Sequence, residues 1–246
     1  MEQPVLIQGA MACELEFFQK KLEKQQEVKI GPYSFFRGTF NNTPVVLSRL
    51  QIGFATTAAV TALAIEKFEP KFIVNQGTAG SYTENLCNYD IVIGERFYDA
   101  GAIFTGGGGD ALTGVTLPWK YIDLEKIEAA ESLQSCISLH PYYYYSNVEL
   151  LHLIMEAAVK YTKGRVVRGT VASAEQWNCS SDLLQQLHNV TGADCEEMEV
   201  AAAGRVATDW HIPFICLKII SNNNVIGQSF DVQTAVALQE FIWGLF

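Results

Sequence analysis

Apolar residues fall along this chain in short runs separated by helix-like stretches, and each run can be read for its period. Val5-Leu6-Ile7 is a brief apolar run that ends at Gly9, as expected of a buried strand. The stretch from Glu14 to Lys24 puts Leu15, Phe18 and Leu22 on one face of a helix. Tyr33 to Arg37 and Pro44 to Arg49, split by Asn41-Asn42, read as a hairpin. Thr56 to Phe68 is alanine-rich and reads as a helix, Phe72-Ile73-Val74 as a buried strand ending in Gly77, and Asp90 to Phe97 as another strand. From Asp99 to Tyr121 the pattern is irregular, with Gly106 to Gly109 in succession, the segment best suited to a mobile loop. Asn147 to Tyr161 reads as a helix, Arg165 to Ala172 as a strand, Glu199 to Trp210 as a helix, Phe214 to Ile220 as a strand and Val232 to Phe246 as a last helix.

Apolar strands alternating with helices predict an α/β fold, a three-layer α/β/α sandwich around a central mixed β-sheet. There is no repeat and no long linker, so residues 1–246 are expected to form a single domain. In such sheets chemistry gathers at the carboxyl ends of the strands.

Composition narrows the function classes. Hydrophobic residues make up 49% of the chain and charged ones 18%, so a large core is available. The net charge of −10 comes with no basic run, which argues against a nucleic-acid partner, since phosphate tracking needs clustered Lys and Arg. No apolar stretch reaches membrane-spanning length and no export signal is legible, so no membrane partner is expected and the cytoplasm is the expected compartment. The cysteines at 13, 87, 136, 179, 195 and 216 lack C-x-x-C spacing and read as reduced thiols rather than disulfides or zinc ligands. The histidines at 140, 152, 188 and 211 form no ligand pattern, so neither a metal nor another cofactor is expected.

Four strand ends carry candidate chemistry. Gly9-Ala10-Met11-Ala12-Cys13-Glu14 is a strand-to-helix turn with a carboxylate in the first helical turn, where Glu14 alone would do no more than complement the helix dipole. Asn75-Gln76-Gly77-Thr78-Ala79-Gly80 offers small residues that let a ligand approach the backbone, as many tight turns do. Ala172 to Trp177 ends a strand in an aromatic suited either to a core or to stacking on a base. Glu196-Glu197-Met198-Glu199 precedes an alanine-rich helix and by itself is an ordinary acidic helix start.

Taken in order, G-A-M-x-x-E, N-x-G-[ST]-A-G, the aromatic segment, E-M-E-x-x-A and a strand ending I-S-[DN] resemble the nucleoside phosphorylase/nucleosidase superfamily. Within it the 5'-methylthioadenosine/S-adenosylhomocysteine nucleosidases of methionine salvage are the nearest match, from Val5 to about Phe241. The resemblance implies hydrolysis of the N-glycosidic bond of a purine nucleoside. By it, Glu14 activates the attacking water and Thr78 lies beside that water. Trp177 stacks on the purine, with the Asn178 backbone near the base edge. Glu199 takes the ribose hydroxyls, Met198 packs on the sugar, Glu197 helps hold the ribose, and Phe230 covers the 5' substituent. The family commonly borrows part of its 5' pocket from a neighbouring subunit, which implies a homodimer. Carboxylates suit this reaction, because cleavage builds positive charge on the ribose and a carboxylate can take the proton of attacking water.

Two positions depart from the pattern. Phosphorylases that use phosphate carry an Arg three residues before the hydroxyl position, where this chain has Asn75, and Arg49 and Lys218 are the nearest cations in the motif set. Lys218 stands where the nucleosidases usually have an Arg, keeping the charge without the planar fork. Water is therefore the expected nucleophile. The second departure is Ser221-Asn222, where adenine-specific members have Ser-Asp and the Asp protonates the purine N7. An amide offers a donor and an acceptor but no proton at neutral pH. Asn222 is thus compatible with a hydrolase or phosphorylase of 6-oxopurine nucleosides, with an Asp-to-Asn change that traps an adenine nucleoside, or with a slow or non-catalytic binder. Asn222-Asn223-Asn224 is also natural turn composition.

Overall fold

In the computed structural model, which describes residues 2–105 and 119–246, the strands send alternate side chains into two separate cores. On β1 (Val5–Gly9), Leu6 joins one core and Val5 and Ile7 the other. On β13 (Phe214–Asn222), Phe214, Cys216 and Ile220 face the first core while Ile215, Leu217 and Ile219 face the second. A strand buried on both faces must be apolar at nearly every position, and β13 is buried throughout. Helices α2 (Phe54–Phe68) and α5 (Val200–Asp209) fill the first core with Val60, Ala64, Ala203 and Ala207. Helices α1 (Glu16–Lys21), α3 (Val148–Ala157) and α6 (Gln233–Trp243) fill the second with Phe18, Leu151, Ile154, Leu238 and Phe241. The expected three layers are present.

The remaining strands are β2 (Glu23–Ile30), β3 (Tyr33–Phe40), β4 (Thr43–Arg49), β5 (Phe72–Ser81), β6 (Ile91–Asp99), β7 (Ile103–Thr105), β8 (Trp119–Ile122), β9 (Ile137–Ser138), β10 (Tyr144–Tyr145), β11 (Val166–Ser173) and β12 (Cys195–Glu197). Among the described residues they form a small sheet, β7-β8-β9, and a ten-stranded mixed sheet. The large sheet runs β10-β6-β11-β12-β5-β1-β4-β3-β2, with β13 pairing parallel to β5 and antiparallel to β6. Strands β5, β12, β11, β6 and β13 therefore close into a ring. Strands β5, β11 and β13 all bring their carboxyl ends to one region, joined there by β1 through its parallel pairing with β5.

Several expected elements need correction. The helix expected over Glu14–Lys24 is a 3-10 turn, Ala12–Glu14, followed by only Glu16–Lys21. Leu22 turns extended because Glu23 to Ile30 pair with β3 as an edge strand that is almost wholly exposed. Its Glu and Lys side chains are the usual protection of such an edge, and they hide it from any search for apolar runs. Helix α4 (Ser181–Thr191) has no counterpart among the expected elements, although Ser180 caps its first turn and Gly192 (φ +69°) its last. The Asn41-Asn42 turn is as expected for a two-residue hairpin, both residues taking positive φ. Of the irregular, loop-like segment expected from Asp99 to Tyr121, Ile103–Thr105 and Trp119–Tyr121 instead pair as antiparallel strands, and Gly106–Gly109 lies outside the described residues.

Candidate active site

At the carboxyl end of β1 the chain turns sharply, and Gly9 permits it because a Cβ there would sit 2.8 Å from Gln76 Nε2. The turn buries Glu14 (3% exposed). Its Oε2 accepts from the backbone N–H groups of Ala10 (2.8 Å) and Met11 (3.0 Å). Its Oε1 accepts from the N–H (2.8 Å) and hydroxyl (3.0 Å) of Thr78. A Cβ at Gly77 would lie 2.8 Å from that oxygen, so the glycine that follows the buried run of β5 is what lets the two segments meet. Three of the four donors are backbone and fixed; the Thr78 hydroxyl can rotate away and let a water take its place.

Glu199 stands just ahead of α5, 7% exposed, and its Oε1 accepts from Gly53 N–H at 3.2 Å. Burial, with the neighbouring Glu197 charge second, raises its carboxyl to about 8, while Lys218 opposes the rise. Glu197 is differently employed. Its carboxylate accepts from the Glu199 N–H, the Val200 N–H and the Ser173 hydroxyl, and it pairs with Lys218 Nζ at 2.9 Å. A carboxylate so occupied holds the start of α5 in place, at the edge of the cleft that Glu197 also lines.

The Ser221-Asn222 pair sits on a β-bulge, where the register with β5 skips from Ile220 opposite Ala79 to Asn222 opposite Gly80. Ser221 Oγ lies 3.2 Å from both Ala79 O and Asn222 Oδ1. The three consecutive asparagines have separate positions. Asn222 lines the cleft; Asn223 ties the following turn, donating to Thr83 O and Leu86 O and accepting from Val225 N–H. Asn224 donates to Asn178 O.

Glu14, Thr78, Trp177, Glu197, Met198, Glu199, Ser221, Asn222 and Phe230 all line one cleft of about 630 Å³ including its open mouth, a size usual for small-molecule sites. Trp177 (67% exposed) and Phe230 (44%) form its outer wall, their rings 6.4 Å apart, with Ile52 (56%) also at the cleft. Asn178 is not among the lining residues: its backbone N–H and side-chain amide both donate to Glu196, which also accepts from Tyr82. Met11, Ile52, Gln176 and Glu196, to which the family resemblance gives no role, also line the cleft. Met11, Gln176 and Glu196 lie inside the strand-end motifs, whereas Ile52 carries no sequence signal of its own. Among the described residues no Lys or Arg lines the cleft; Arg49 is exposed at the end of β4, in register with Gly9, and Lys218 lies buried behind Glu197.

A family model described as the phosphorylase superfamily matches residues 4–241. Solved structures of similar fold include a 5'-methylthioadenosine/S-adenosylhomocysteine nucleosidase from Campylobacter jejuni, with a TM-score of 0.79, 17% identity, and 99% of this chain and 98% of that one covered. The Neisseria meningitidis nucleosidase of the same name, in complex with methylthio-immucillin-A, gives 0.71 at 21% identity over 98% and 93%. An Asp-to-Asn mutant of the Helicobacter pylori enzyme with 5'-methylthioadenosine in its active site gives 0.71 at 21% over 99% and 93%.

Proposed function

The chain belongs to the phosphorylase superfamily, and within it we propose that it is a nucleosidase, cleaving the N-glycosidic bond of 5'-methylthioadenosine/S-adenosylhomocysteine-type purine nucleosides with water. The observation that carries this reading is Glu14, an oriented carboxylate in a cleft lined by further carboxylates and, among the described residues, by no Lys or Arg. Phosphate needs fixed positive charge to bind, and this cleft would repel it. A neutral water meets no such penalty. Donating to Glu14 in place of the Thr78 hydroxyl, it would lose its proton as it attacks the anomeric carbon, a contribution of about 10²–10⁴-fold. Glu199 takes the ribose hydroxyls and faces the positive charge that builds on the sugar. Met198 packs on the ribose, Trp177 and Phe230 cover base and 5' substituent, and Ser221 orients the Asn222 amide toward N7. The solved relatives with a bound nucleoside or nucleoside analogue support the substrate class.

A second reading, 6-oxopurine nucleosides, is favoured by the base end of the cleft. Asn222 presents an amide there, and Asn178 N–H is already spent on Glu196, so the adjacent polar edge is an acceptor rather than a donor. A ring N–H would suit that acceptor, and the amide would suit a carbonyl beside it.

We further place the chain as one domain over residues 1–246 acting as a homodimer, because aromatic and apolar groups at the mouth stand exposed on the single chain. Six free cysteines accord with a reducing compartment such as the cytoplasm. The deciding assay incubates purified protein with 5'-methylthioadenosine, S-adenosylhomocysteine, inosine and guanosine, with and without phosphate, and identifies the products. Free base and free ribose sugar, independent of phosphate, are expected. A sugar 1-phosphate formed only with phosphate would overturn hydrolysis, and cleavage of inosine or guanosine alone would move the substrate to the second reading.

A further inference from the structure

Resting on the nucleosidase reading, we propose that Lys218 is a positioning residue: its ammonium, clamped beneath the cleft between Glu197 and Asn75, holds the Glu197–Glu199 turn so that Glu199 faces the sugar. Lys218 is 2% exposed, and a buried ammonium requires partners. It has them at 2.9 Å on Glu197 and 2.9 Å on Asn75 Oδ1. Asn75 is in turn anchored, its amide donating to Gln8 Oε1 (3.5 Å), and Gln8 donates to Thr61 Oγ1 at 2.9 Å. A continuous polar chain therefore crosses the sheet from α2 through β1, β5 and β13 to β12. All of its members are buried. At its far end Glu197 receives the N–H groups of Glu199 and Val200, so the ammonium fixes the backbone on which the Glu199 side chain is mounted.

The same ammonium sets the charge on Glu199. The groups facing Glu199 are Glu197, Glu14, Lys218 and the Gly53 N–H. Two are anions, and Lys218 is the cation that offsets them. Loss of Lys218 would leave Glu197 an uncompensated buried anion and push the Glu199 carboxyl higher still. Lys218 itself is held charged: burial favours its neutral form, but Glu197 carries it above its ordinary value. With both of its partners inside the protein, this cation is also withdrawn from phosphate.

The test compares Lys218→Met, Lys218→Arg and Asn75→Leu with the parent protein. In kcat/KM against pH, the ascending limb of Lys218→Met should move up by about one unit or more, with kcat lower by about 10²-fold. Lys218→Arg, which keeps the charge, should retain the parent limb. Asn75→Leu, which leaves Lys218 in place but loosens its anchor, should lower kcat without moving the limb. Uniform loss at every pH in Lys218→Met would overturn the proposal. A second readout needs no substrate: the Glu199 carboxyl carbon, assigned with Glu199→Gln, is titrated by NMR in unliganded protein. Its midpoint should rise in Lys218→Met, and an unmoved midpoint overturns the proposal even if Lys218→Met is inactive. If the parent cleaves no nucleoside but the midpoint moves, the function reading fails and the role of Lys218 in setting the Glu199 charge stands.

Discussion

Burial and the neighbouring Glu197 charge oppose the ionisation of Glu199 more than Lys218 favours it, and that has a consequence for stability. Its folded-state value of about 8 lies above the ordinary 4.5. Between those values the folded protein keeps a proton that the unfolded chain has lost, so its contribution to stability falls as pH rises through the window and stays low above it. Glu199→Gln should therefore melt close to the parent at pH 5 and higher than it at pH 9, by about 4 °C or more in calorimetry. The same variant should lose most of its hydrolytic rate. Asn222 is the other decisive side chain. Its amide cannot release a proton at neutral pH, so Asn222→Asp should speed adenine release from 5'-methylthioadenosine by about 10²-fold or more, followed by product chromatography. An unchanged rate would mean that the lack of a proton donor at N7 does not limit the reaction.

At the scale of elements, the apolar periodicity of β1, β5, β6, β11 and β13 announced the central strands, because strands buried on both faces have little freedom of composition. Edge and short elements escaped for the opposite reason. Strand β2 is polar at almost every position, and β12 has only Cys195, Glu196 and Glu197, so neither offers a period. The site was legible as a set of strand ends, and nine of the ten residues singled out do line one cleft. What composition could not reveal was how far each carboxylate is occupied within the protein: Glu199 accepts from Gly53 N–H, whereas Glu197 is held by Lys218 and Ser173 brought from other strands. Close approach of α5 to the sheet is another such contact. A Cβ on Gly204 would lie 2.2 Å from the Phe97 ring. Gly204→Ala should cost about 1–3 kcal/mol, read as a lower denaturation midpoint, despite the better helix propensity of alanine.

For the whole molecule, the ring of strands β5-β12-β11-β6-β13 gathers the motifs around one cleft whose outer wall is apolar and open. The proposed homodimer would cover that wall. Sedimentation should show a dimer at micromolar concentration, and specific activity should fall on dilution as the dimer dissociates. A monomer of undiminished activity would mean that the cleft is complete within one chain.

The exposure of that wall also gives the protein an optical handle. Trp177 is two-thirds in water, whereas Trp243 packs edge-on against Phe17 away from the cleft. Emission from Trp177 in the unliganded protein should be red and easily quenched by iodide. A purine stacked on the indole would quench and shield it, so occupancy of the cleft should be visible as a saturable loss of red-edge fluorescence. Trp177→Phe keeps an aromatic face but should abolish that signal, which makes ligand binding measurable even for a variant that turns nothing over.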